Sequence, residues 1–116
     1  MKLSGLILIL FFSAASLFAQ TSGGLTGRVT DSTGAALPGV TVEAKSPSLQ
    51  GTRTVVTESD GAYRLALLPP GEYTVQFNLS GFAPLTRNRI TVALGKDTAL
   101  DATLRPAAVA EMGGAL

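Results

Sequence analysis

The sequence predicts an all-β fold, a seven-stranded antiparallel sandwich of two sheets. Three observations carry that prediction. Apolar and polar residues alternate with a period of two in several short runs. Turn-forming pairs such as Pro-Gly and Asp-Gly punctuate those runs. No stretch between them holds a helical period.

The elements follow in chain order. Residues 25–30, Leu-Thr-Gly-Arg-Val-Thr, form a first strand that ends at the turn Asp31-Ser32-Thr33-Gly34. Leu37-Pro38-Gly39 predicts a type II turn, because Pro38 fixes its own φ and Gly39 accepts the positive φ that follows. In residues 40–45, Val40, Val42 and Ala44 share one face and Thr41, Glu43 and Lys45 the other. Residues 46–51 are polar and contain Pro47, so they read as a loop. Residues 52–57 are β-branched and strand-like. The turn Glu58-Ser59-Asp60-Gly61 leads into a strand with Tyr63, Leu65 and Leu67 on one face.

Pro69-Pro70-Gly71 stops that strand, and the clearest alternation of the chain comes next. Tyr73, Val75, Phe77 and Leu79 face inward, with Thr74, Gln76 and Asn78 between them. Ser80-Gly81 ends the run. In residues 89–94, Ile90, Val92 and Leu94 point inward and Arg89 and Thr91 outward. After Gly95-Lys96-Asp97 the last strand sets Leu100, Ala102 and Leu104 against Asp101, Thr103 and Arg105.

The first 19 residues read as a cleavable signal peptide. Lys2 supplies a positive start, residues 6–12 an apolar run, and Ser13-Ala14-Ala15-Ser16 small residues before Leu17-Phe18-Ala19-Gln20. Cleavage is placed after Ala19, with a cut after Ser16 as the alternative. The unbroken apolar run is shorter than the roughly 20 residues a spanning helix needs, so the mature chain is expected not to cross a membrane. No cysteine stands at the boundary to carry a lipid. The expected organisation is therefore a leader at 1–19, one domain at 20–105 and a flexible tail or truncated linker at 106–116.

Composition narrows the chemistry. The chain has 116 residues, enough for one domain, with 13 glycines suited to tight turns. Nine basic residues face eight acidic ones, and removing Lys2 with the leader leaves eight of each. A neutral chain without a basic patch disfavours nucleic acid as a partner. There is no cysteine and no histidine. The fold then depends on packing alone, and thiol nucleophiles, cysteine-bound zinc and the commonest general base near neutral pH are all missing. Serine and threonine hydroxyls have no base to activate them. The sequence reads as a non-enzyme without a cofactor.

Residues 25–31 with Gly34 and residues 37–42 resemble the start of the carboxypeptidase regulatory-like domain. The resemblance continues through Thr57-Glu58-Ser59-Asp60-Gly61-Ala62-Tyr63-Arg64-Leu65 and Leu68-Pro69-Pro70-Gly71-Glu72-Tyr73-Thr74-Val75. It closes with Ser80-Gly81-Phe82 and residues 100–104. It implies a transthyretin-like, seven-stranded Greek-key sandwich, grouped with starch-binding-like folds. Directly after a signal peptide, such a domain resembles the periplasmic N-terminal extension of TonB-dependent outer-membrane receptors. There a plug and a barrel follow, whereas this chain ends at Leu116, as a free-standing small protein or the front of a truncated gene.

The candidate sites are few. Asp31 and Asp60 offer oxygens for calcium, but the spacing of a calcium loop is absent and both residues suit the backbone of their own turns. Sugar recognition needs exposed aromatic rings. There is no tryptophan, and Tyr63, Tyr73 and Phe77 fall on the core face. Phe82, beside Gly81 and Pro84, is the one candidate ligand contact, with capping of the core as its other role. The expectation is an exported interaction module, periplasmic, outer-membrane-associated or secreted. Its expected partner is a protein of the cell envelope, and a polysaccharide is the alternative.

Overall fold

The structure, a computed structural model, describes residues 22–107. The expected leader, its cleavage site and the tail beyond residue 107 lie outside the described residues. Eight strands are present: β1 (Gly23–Asp31), β2 (Thr41–Lys45), β3 (Thr52–Val56), β4 (Ala62–Leu68), β5 (Gly71–Asn78), β6 (Leu85–Val92), β7 (Asp97–Ala99) and β8 (Ala102–Leu104). They form two sheets. One has the order β4-β1-β7, with β8 pairing further along β1; the other has the order β3-β2-β5-β6. The all-β, two-sheet sandwich is as the sequence predicts.

The β2–β5 pair shows why. Val42 lies opposite Phe77 and Ala44 opposite Val75, and all four are buried, so two alternating strands bring their apolar faces to the same side. Tyr73, Phe77, Leu25, Leu68 and Leu104 are the largest fully buried side chains. Burying a side chain such as Phe77 stabilises the fold by about 1.5–3 kcal/mol. The Tyr63 and Phe77 rings meet edge to face, centroids 5.9 Å apart. Strand pairing and the described core lie within residues 23–104.

The turns also follow expectation. Gly39 has φ of 80°, as the second central residue of a type II turn requires. Thr57, the buried polar residue, ties this turn to β3: its hydroxyl donates to the Leu37 carbonyl at 2.7 Å and accepts from the Val40 N–H at 2.9 Å.

Four strand details differ from the sequence reading. Leu67, expected inward, has φ of 56° and is exposed, and Leu68 is buried in its place. Between the pairs Gly23–Leu68 and Leu25–Leu65, β4 carries one residue more than β1, so this bulge reverses the phase of the strand. A second bulge, at Arg89 with φ of 58°, sits in β6. That strand begins at Leu85 rather than Arg89, and Leu94, expected inward, lies beyond its end and is exposed. The last strand is two strands, broken at Leu100-Asp101, and both run parallel to β1. The count of strands is therefore eight, not seven. The break has a local cause: the Leu100 N–H donates to the Thr26 carbonyl, and the Asp101 carboxylate accepts the Arg28 N–H at 2.9 Å.

The path of the chain defines two ends. Gly23, Leu68, Gly71, Val92 and Asp97 meet at the entry pole, where the chain comes in. Asp31 pairs with Leu104 at the exit pole, where the Ala83 N–H donates to the Arg105 carbonyl at 2.8 Å. The chain thus enters and leaves the sandwich at opposite ends.

Candidate functional site

Of three surface depressions among the described residues, two lie where the edges of the two sheets meet and one lies on the β4-β1-β7 sheet at the entry pole. Beside the β3 and β4 edges, Val55, Val56, Glu58, Ala62, Tyr63 and Arg64 line a hollow of about 200 Å³. Between the start of β6 and β8, Ala83, Pro84, Leu85, Thr103, Leu104 and Arg105 line a cleft of about 380 Å³. At the entry pole, Ser22, Gly23, Arg64, Leu67, Lys96 and Asp97 are among the residues around a groove of about 180 Å³. All three are small, open and shared between polar and apolar atoms, unlike the enclosed apolar pockets that hold small cofactors.

The residues singled out in the sequence are placed as follows. Phe82 is half-buried, packs against the core and pairs with Pro106, next to Ala83, which lines the cleft of about 380 Å³. Tyr63, Tyr73 and Phe77 are in the core. The Tyr63 hydroxyl donates to the Leu100 carbonyl and the Tyr73 hydroxyl to the Pro69 carbonyl at 2.6 Å. Burial pushes both phenols up; Asp101 adds to the rise at Tyr63 and Arg87 opposes it, while Arg53 opposes it at Tyr73. These rings are committed to packing.

Asp31 and Asp60 serve their own turns. One Asp31 oxygen accepts from the Thr33 hydroxyl at 2.6 Å, the Thr33 N–H at 2.9 Å and the Ala35 N–H at 3.0 Å. Those bonds, the Thr33 hydroxyl foremost, hold its carboxyl below the usual range. Asp60 accepts the Ala62 N–H at 3.0 Å and faces Arg28 at 4.0 Å. Among the described residues, no three acidic side chains gather where a metal ion would sit.

Sequence reasoning missed how the charges are distributed. The neutral total hides a polarity along the sandwich. Lys45, Arg64, Arg89 and Lys96 lie in the half nearer the entry pole, against Glu72 and Asp97, while Arg53, Arg87 and Glu43 lie near mid-length. The other half holds Asp31, Glu58, Asp60 and Asp101 against Arg28 and Arg105. The two exposed leucines, Leu67 and Leu94, are both at the cationic end. No local pattern reveals this, because strand direction decides which end each charge reaches.

The model of the carboxypeptidase regulatory-like domain matches residues 24–105, nearly all of the described sandwich. The chain belongs to that family. The regulatory-like domain is 40% identical over 105 residues to the TonB-dependent transporter Oar of Myxococcus xanthus, a match that covers 90% of this chain and 10% of the transporter. The chain thus spans about a tenth of the length of that curated relative.

Solved structures give the fold alone. The TIE protein of Bacillus anthracis superposes with a TM-score of 0.64 at 21% identity, over 74% of this chain and 17% of that one. A putative carbohydrate binding protein from Bacteroides uniformis gives 0.59 at 20%, over 72% and 41%. The minor pilin of Streptococcus agalactiae gives 0.60 at 16%, over 75% and 45%. The regulatory-like domain shares its sandwich fold with these three proteins. Among the described residues, no helix is long and apolar enough to cross a membrane.

Proposed function

We propose that this regulatory-like domain is an exported, non-catalytic docking module, the periplasmic N-terminal extension of a TonB-dependent receptor or a free form of it. The observation that carries the reading is the 40% identity to a TonB-dependent transporter across 90% of the chain. Two physical features support it. The chain enters and leaves at opposite poles, so the domain suits a place in series within a longer polypeptide. Among the described residues the β3 edge, Thr52–Val56, pairs in a sheet only with β2 and has no bulge; Arg53 crosses from it to the Ala66 carbonyl of β4 at 2.9 Å, and the rest of its outer side offers backbone groups to an added strand from a protein partner. The lack of histidine and cysteine, and the use of Asp31 and Asp60 in their own turns, support a role without catalysis.

The reading is tested with residues 20–116, titrated by calorimetry against an isolated receptor plug, the periplasmic domain of an energy-coupling protein, and soluble polysaccharides. Saturable binding to a protein, lost when Thr54→Pro blocks the β3 edge, is the expected result. Saturable binding to a sugar, lost with Phe82→Ala, replaces the docking module with a carbohydrate-binding one. Export is checked by fractionating cells that make the full chain: a processed form in the envelope fractions is expected, and an unprocessed cytoplasmic form rejects it.

A further inference from the structure

The two edges of the β3-β2-β5-β6 sheet carry arginines in one cross-strand row. Arg53 on β3 lies opposite Ala44, Ala44 opposite Val75, and Val75 opposite Arg87 on β6. Ala44 and Val75 are buried, so both arginines start from the inward side of their strands. Their surroundings differ. Arg87 is exposed, on the strand with the bulge at Arg89. Arg53 is half-buried, alone among the described basic residues. Its guanidinium donates to the Ala66 carbonyl across the seam between the sheets, and among the described residues it forms no ion pair. Arg28 and Arg64, both exposed, face Asp60 and Asp97 instead. A partly desolvated guanidinium that holds only a carbonyl has N–H groups left for a carboxylate, and it binds one more strongly than an exposed cation does. Two residues along β3, Val55 faces the same side and lines the hollow of about 200 Å³ with Ala62 and Tyr63.

We propose that the seam beside β3 recognises an extended peptide that places an aliphatic side chain in the hollow at Val55 and, two residues later, a carboxylate on Arg53. The inference rests on the docking reading above and names the chemistry of its partner. Every pairing in this sheet is antiparallel, so a strand added in the same sense meets Val55 first and Arg53 second. A period of two then sends both side chains inward and the residue between them, opposite Thr54, outward. Charge fixes the order. A carboxylate complements Arg53, whereas Glu58, which lines the hollow, repels one placed there. A second copy of this chain is the competing strand. Paired through its own β3 it brings no carboxylate, because that strand reads Thr-Arg-Thr-Val-Val.

Protein purified from cells that make the full chain is titrated with a dye-labelled, end-blocked heptapeptide of threonines, with valine as its third residue and glutamate as its fifth. Fluorescence anisotropy should rise and saturate. Glutamine in place of the glutamate should weaken binding about tenfold, because a charge-assisted bond becomes a neutral one. Moving the glutamate to the fourth residue, on the outer face, should cost about the same. The Arg53→Gln protein should bind the glutamate peptide about tenfold more weakly and the glutamine peptide as the wild type does. That retained binding shows that the variant is folded. An Arg53→Gln protein that keeps the preference for glutamate overturns the proposal. Equal binding of both peptides, lost in Thr54→Pro, also overturns it and leaves strand docking at β3 standing. No saturable binding of the glutamate peptide overturns it as well, and the docking reading then rests on the plug and coupling-protein titrations.

Discussion

The two sheets of this domain are built by different means. In the β3-β2-β5-β6 sheet, β2 pairs with both neighbours over its whole length, and burial alternates without a break along β5. Side-chain pattern alone is enough to set the register of β3, β2 and β5, while β6 joins the sheet's edge through the bulge at Arg89. In the β4-β1-β7/β8 sheet, parallel and antiparallel neighbours flank β1, its partner on one side is interrupted, and β4 is bulged. Here backbone fit and polar caps hold the strands. A Cβ at Gly27 would lie 1.9 Å from the Leu100 carbonyl oxygen, and the Asp101 carboxylate takes the N–H of Arg28 at the break. One sheet is specified by what its side chains bury, the other by how closely its backbones approach.

Four substitutions sharpen or break that contrast. Phe77→Ala removes the centre of the regular sheet's core and should cost about 3–5 kcal/mol in chemical denaturation; a loss below about 1 kcal/mol would show that the inward face of β5 is misplaced. Gly27→Ala should cost about 3 kcal/mol, the upper end for overpacking, because the atoms in the way are backbone rather than flexible side chain. If it is tolerated, the close approach of β1 to Leu100 is not what holds the irregular sheet.

Tyr63→Phe should cost about 1–2 kcal/mol, since it leaves the Leu100 carbonyl without its hydroxyl donor. The same tyrosine sets a pH dependence. Its folded pKa is raised, so its contribution to stability is intact below the unfolded value of about 10 and falls as pH rises above it. Melting temperature should therefore drop steeply above about pH 10, and Tyr63→Phe should flatten part of that drop; an unchanged slope would place the alkaline sensitivity elsewhere. Thr74→Ala, on the outer face of the regular sheet, should change stability by no more than about 0.5 kcal/mol. A cost comparable to that of Phe77→Ala would mean that the two faces of β5 are not distinct.

The candidate site was legible only in part. The core positions of Tyr63, Tyr73 and Phe77 follow from alternation, and the turn roles of Asp31 and Asp60 from their sequence neighbours. Phe82, the one residue suggested for ligand contact, packs against the core and pairs with Pro106, a contact between segments far apart in the chain. The exposed leucines were hidden for a different reason. Leu67 and Leu94 continue an apolar alternation and so read as core residues, yet both are on the surface.

The sequence by itself determined the fold class, the positions of the turns and the inward face of β2 and β5, because a period of two and a Pro-Gly or Asp-Gly pair act within a few residues. Only the tertiary structure decided the bulges at Leu67 and Arg89, the break between β7 and β8, their parallel pairing with β1, and the gathering of cations and exposed leucines at one pole. An alternating pattern carries its phase forward only until one residue turns to positive φ. No local rule marks a leucine or an arginine for that role; it follows from how the neighbouring strand meets it.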